Sequence, residues 1–135
     1  MDPITQQQAL AAAGAGGDPV YVDDLFSTYV YEGTGSARTI TNGIDISGEG
    51  ALVWIKSRTS GENHALFDTE RGAGKLIQSN SDNYELTSTA RLSAFTSSGF
   101  TLGTDGATNG SGNDYVSWTF RKAPGFFDVV KFTGT

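Results

Sequence analysis

Asp114-Tyr115-Val116-Ser117-Trp118-Thr119-Phe120-Arg121 alternates strictly in the kind of side chain it carries. Val116, Trp118 and Phe120 fall on one face, and Tyr115, Ser117 and Thr119 on the other. That two-residue period is the period of a β-strand. Read by apolar bulk, the Val116-Trp118-Phe120 face is expected to look into a core. Upstream, Leu52-Val53-Trp54-Ile55 is a continuous apolar run between Gly48 and Gly50 on one side and Gly61 on the other. It suits a central strand covered on both faces. Phe26-Ser27-Thr28-Tyr29-Val30-Tyr31 is β-branched and aromatic and stops at Gly33-Thr34-Gly35. His64 to Asp68, Lys75 to Gln78, Tyr84 to Thr87 and Phe100 to Leu102 read as shorter strands, and Phe126 to Phe132 as a closing one. Strands recurring about every ten residues with turn signals between them predict an all-β fold. The expected architecture is an antiparallel β-sandwich from about Phe26 to Phe132. Its expected core is Val30, Val53, Ile55, Leu66, Phe67, Leu102, Val116, Trp118 and Phe120.

Composition agrees and excludes several functions. The 135 residues make one domain, with 15 aromatic side chains (Phe 8, Tyr 5, Trp 2) for a core and 18 glycines against three prolines for tight turns. The formal net charge of -6, with Arg121-Lys122 the only adjacent basic pair, argues against nucleic acid. No cysteine and a single histidine remove disulfides, thiolate chemistry and Cys- or His-rich metal sites. No cofactor is expected. Met1-Asp2-Pro3 lacks the basic start of a signal peptide, and no apolar stretch approaches the length of a membrane span. The expected product is made in a cytoplasm and does not insert into a membrane.

The first 24 residues differ from the rest. Asp2 can cap a short helix, Pro3 suits its first position, and Gly14, Gly16 and Gly17 end it. Ten or so helical residues are marginal alone in water, so this segment frays or orders on a partner. Ile4, Leu10 and Val20 are its large apolar side chains. Ile4 and Leu10 stand six apart, which is no helical stripe, and an extended or partly helical peptide laid in a groove fits better. Two divisions follow: residues 1–24 as a separate N-terminal segment and residues 25–135 as the β-domain. Val130-Lys131-Phe132-Thr133-Gly134-Thr135 echoes the aromatic-x-Gly pattern of Tyr31-Glu32-Gly33-Thr34-Gly35. The echo is either a coincidence of a Gly/Thr-rich chain or the start of a second module, in which case the full protein continues.

Several constellations bear on chemistry. Arg71-Gly72-Ala73-Gly74-Lys75 hints at phosphate binding, but Leu76 follows the lysine where a P-loop needs Ser or Thr. Its glycines read as a turn. Asp68 and Glu70, with Glu85, could pair for glycoside hydrolysis, but Arg71 beside them makes a structural ion pair the simpler reading. His64 with Ser60 and Asp68 could mimic a triad, yet no Gly-x-Ser-x-Gly elbow is present. Gly103 to Asp114 is rich in oxygen donors and in Asn-Gly and Asp-Gly turn signals. The turn reading outweighs calcium there, since EF-hand spacing is absent. A glycan could use the same loop through Asp105, Asn109, Asn113 and Asp114, with Tyr115 or Tyr84 stacked under a sugar. No catalytic residue and no metal ligand is assigned, and the chain is read as non-enzymatic.

Five ordered motifs, Thr39 to Asp45, Gly50 to Arg58, Leu66 to Lys75, Ser98 to Gly103 and Tyr115 to Val130, carry a resemblance over about residues 29 to 132. The chain resembles a domain family of virion structural proteins of tailed bacteriophages, notably marine and cyanobacterial phages. The resemblance implies a concanavalin A/laminin-G-like, jelly-roll type sandwich in a tail-fibre or appendage protein engaged in host attachment. It supplies no catalytic residue. By that likeness the chain is the N-terminal part of a fibre, located in the virion. Ile4, Leu10, Gly14, Gly16, Gly17 and Val20 would then form the virion anchor. Other virion proteins of tail or capsid are the expected partners, together with further copies of the chain in threefold association. The alternative is a lectin-like module that recognises a host-surface glycan.

Overall fold

The computed structural model describes residues 19–135. A 3₁₀ turn at Val22–Asp24 leads into nine strands among the described residues: β1 (Phe26–Glu32), β2 (Arg38–Thr41), β3 (Ala51–Ser57), β4 (Ala65–Asp68), β5 (Lys75–Gln78), β6 (Leu86–Thr87), β7 (Leu92–Phe95), β8 (Gly99–Leu102) and β9 (Asp114–Arg121). A single helical turn, α1 (Gly106–Asn109), precedes β9. Six strands form one sheet in the order β1-β9-β3-β4-β5-β6, and three form a second in the order β2-β8-β7. Every pairing is antiparallel. The protein is an antiparallel β-sandwich, as its sequence predicts.

One continuous core joins the sheets. Tyr31, Val53, Ile55, Phe67, Leu76 and Tyr115 of the large sheet meet Ile40, Leu92, Phe100 and Leu102 of the small one, with Ile44 and Ile46 from the β2–β3 connection between them. β3 is central, as expected, but only Ala51, Val53, Ile55 and Ser57 face the second layer, while Leu52, Trp54 and Lys56 face outward and stay half-buried.

The expected orientation of β9 is reversed. Tyr115, Ser117 and Thr119 are the buried face, and Val116, Trp118 and Phe120 lie on the outer one. The cause is steric and polar together. The inner face has small hydroxyl side chains in mid-strand, and each hydroxyl finds a partner there. Ser117 Oγ donates to the Tyr29 carbonyl at 3.3 Å, and Asn42 Nδ2 donates to Thr119 Oγ1 at 3.0 Å. Burying a satisfied hydroxyl costs little. The core list is corrected with it. Val53, Ile55, Phe67 and Leu102 are buried, Val30 is 60% exposed, and Leu66 is half-buried on the outer face. The closing segment is corrected too. Beyond Arg121 the chain makes one isolated bridge, Ala123 with Phe127, and no further strand.

Candidate functional site

The loop between β8 and β9 reads from the sequence first as a turn, and as the stretch that a glycan could use. Asp105 caps α1, its Oδ1 accepting the Ala107 N–H at 2.8 Å. Its other oxygen lies 3.6 Å from Arg91 Nε. Asn109 is fully buried. Its Nδ2 donates to the Ser36 and Gly103 carbonyls at 2.8 Å each, and its Oδ1 accepts the Thr34 N–H at 3.0 Å. Asn113 Oδ1 accepts from Thr59 Oγ1 at 3.4 Å, and the Asp114 N–H donates to the same hydroxyl at 2.9 Å. Tyr115 is buried, stacked on Tyr31 with ring centroids 5.3 Å apart. Its hydroxyl donates to the Gly106 carbonyl and accepts the Gly110 N–H. Tyr115 therefore presents no ring face to a sugar, and the side chains of Asp105 and Asn109 are engaged in holding the loop. Burial pushes the Tyr31 phenol far above the usual tyrosine range, with the neighbouring Tyr115 adding to the shift and Arg38 opposing it. Tyr84, the other stacking candidate, is 84% exposed.

The carboxylates and the histidine are likewise occupied. Asp68 holds the Arg71 side chain at 2.5 Å and its backbone N–H at 2.8 Å, and Arg71 Nη2 reaches the Leu66 carbonyl at 3.1 Å. Glu85 joins the cluster from the far side, 3.4 Å from Arg71 Nη1. His64 Nδ1 accepts the Trp54 indole N–H at 2.9 Å. Gly72 and Gly74 take positive φ, so the Arg71–Lys75 stretch is a tight turn. Among the described residues no three His, Cys, Asp or Glu side chains gather as a metal site. Of the anchor residues, Ile4, Leu10, Gly14, Gly16 and Gly17 lie outside the described residues. Val20 packs on Leu25 and Ala123 of its own chain.

The feature that sequence reasoning missed is the outer face of the six-stranded sheet. Register places Thr28, Trp118, Trp54, Leu66 and Ile77 in one row across five strands. Phe26, Phe120 and Leu52 form the next row, and Val30, Val116 and Lys56 the third. Trp54 and Trp118 meet at 5.0 Å between ring centroids, as do Phe26 and Phe120, and Phe127 packs on Phe120 at 5.3 Å. The small sheet lies against the opposite face, and among the described residues no strand or helix forms a layer over this one. Thr28, Lys56 and His64 supply a polar fringe. The alternation of β9 is the signal for this face, which the sequence reading turns inward and the structure turns outward.

A family model matches residues 22–131, described as a domain of unknown function, DUF7483. The chain belongs to the DUF7483 family. No curated protein and no solved structure matches it. The DUF7483 match runs from the 3₁₀ turn through β9 to the exposed tail, so both sheets, the pinned loop and the outer aromatic face lie inside the DUF7483 region. No helix among the described residues is long and apolar enough to cross a membrane.

Proposed function

We propose that the chain is a non-catalytic structural module of a tailed-bacteriophage virion, the N-terminal part of a tail fibre or appendage, held to neighbouring virion proteins through the outer face of its six-stranded sheet. The observation that carries the reading is the aromatic row on that face. A contiguous apolar patch of Trp, Phe, Leu, Ile and Val without a covering layer is the mark of an interaction surface. Tryptophan at its centre is the residue type that most often dominates binding energy. The motif resemblance of residues 29 to 132 supports the virion assignment. The engagement of Asp68 by Arg71 and of His64 by Trp54 supports a role without chemistry.

One observation favours a second reading, a lectin-like module. Trp54 and Trp118 sit side by side among Thr28, Lys56 and His64, the mixture of ring and polar group that suits a sugar.

Replacing Trp118 by Ala tests the proposal. Its ring is half-buried and faces away from the core, so the variant is expected to fold. It should fail to join particles in a complementation assay. Retained incorporation would refute the role of this face. Loss of glycan-array binding by the same variant, with incorporation intact, would select the lectin reading.

A further inference from the structure

The edges of the two sheets are unequal. On the large sheet, β6 is an edge of two residues. On the small sheet, β2 has four residues, and β7 has four with a register break between Leu92 and Ala94. Short and bulged edges discourage further pairing. The remaining edge, β1, has seven residues in unbroken register with β9 and carries no proline and one charge, Glu32.

The unused backbone groups of β1 can be assigned. The ladder with β9 closes on Arg121 N–H to Leu25 C=O at one end and on Gly33 N–H to Asn113 C=O at the other, both 2.7 Å. Hydrogen-bonded and non-hydrogen-bonded pairs alternate along an antiparallel ladder. The odd-numbered residues therefore bond to β9, and Phe26, Thr28, Val30 and Glu32 turn their N–H and C=O outward. Arg38 Nη1 takes the Glu32 carbonyl at 2.8 Å, which fits that assignment and closes one end. Phe26 to Val30 stays open among the described residues, beside the 60% exposed Val30 side chain.

We propose that β1 is a self-association edge, pairing antiparallel with β1 of a second copy about a twofold axis at Thr28. This stands independently of the virion reading. With the axis there, Phe26 faces Val30 of the second copy, Thr28 faces its own counterpart, and every outward group from Phe26 to Val30 has a mate. Such a pairing is self-complementary, as twofold contacts must be. It also joins the outer aromatic faces of the two large sheets into one surface. A second β1 is already ordered and so escapes the entropy cost of recruiting a free peptide. The chain's own Ala9 to Gly17, mostly Ala and Gly, is by contrast poor strand material. The geometry sets the order at two, not the three that the fibre resemblance implies. Each chain carries -6, so salt should tighten the dimer by screening.

The test is light scattering on the full chain over a concentration series at low and high salt, with amide hydrogen exchange. The expected mass at high concentration is twice that of the 14.2 kDa chain. The Thr28 and Val30 amides should be protected in concentrated samples and exposed on dilution. Thr28→Pro removes only an outward N–H, so it should give a folded monomer. Should it fail to fold, Val30→Lys makes the same test without touching the backbone. A single-chain mass at every concentration, a trimer, or a dimer that survives Val30→Lys would each overturn the proposal. So would Thr28 and Val30 amides that are protected, or exposed, regardless of concentration.

Discussion

Asn109→Ala should be among the most damaging single changes in the β8–β9 loop, and its cost can be worked from the bonds it breaks. The side chain joins three segments: Thr34 and Ser36 after β1, Gly103 after β8, and its own helical turn. An ordinary hydrogen bond contributes about 1 kcal/mol net, and a buried group left without a partner costs about 1–3 kcal/mol. Thr34 and Ser36 are exposed, so water can replace the lost amide there. Gly103 is half-buried, and position 109 itself is fully enclosed. The sum is about 3 kcal/mol, a large share of the roughly 5–15 kcal/mol that holds a domain together. Urea unfolding of the variant should show the midpoint falling at unchanged slope. Asn109→Asp should cost more, since a carboxylate would face the Ser36 and Gly103 carbonyls. A loss under about 1 kcal/mol for Ala would refute the pinning role and return the loop to the list of ligand sites.

Three further outcomes are expected. The buried Tyr31 phenol has its pKa raised, so the stability it contributes is full below about pH 10, where the unfolded chain ionises, and is lost as pH climbs further. Melts taken across that range should fall by about 1.4 kcal/mol per pH unit more steeply than those of Tyr31→Phe; parallel alkaline limbs would contradict this. Deleting residues 1–17 should leave the melting transition unchanged; loss of incorporation into particles would show that this segment anchors alongside the outer face, and a variant that unfolds or still incorporates sinks the anchor reading. Arg71→Ala, which strips Asp68 of its cation in a nearly buried place, should cost about 3 kcal/mol, measured by the same urea series.

What the sequence made legible followed from local pattern. Lys75–Gln78 and Asp114–Arg121 are strands at the expected bounds, because each is flanked by turn residues that stop it. β2 and β7 were missed as strands because Arg38–Thr41 and Leu92–Phe95 show neither strong alternation nor a long apolar run. Phe126 to Phe132 is apolar enough for a strand, but among the described residues it pairs only at the Ala123–Phe127 bridge, and Val130 and Phe132 are 71% and 85% exposed. The inverted face of β9 is the most instructive failure. Periodicity says that two faces differ, but which face turns inward depends on whether the opposing layer can satisfy hydroxyls. Asn42, which satisfies Thr119, lies 77 residues away in sequence. The β8–β9 loop is hard to read for a similar reason: oxygen-rich residues look alike whether they bind a ligand or, as with Asn109, fasten distant backbone.

Immunogold electron microscopy of purified phage particles tests the proposed virion role most directly. An antibody against the folded domain should label an appendage at a fixed place on the particle, and the label should vanish when Trp118→Ala replaces the wild type. Particles that carry no label, with the protein found only free in the infected-cell lysate, would contradict the account.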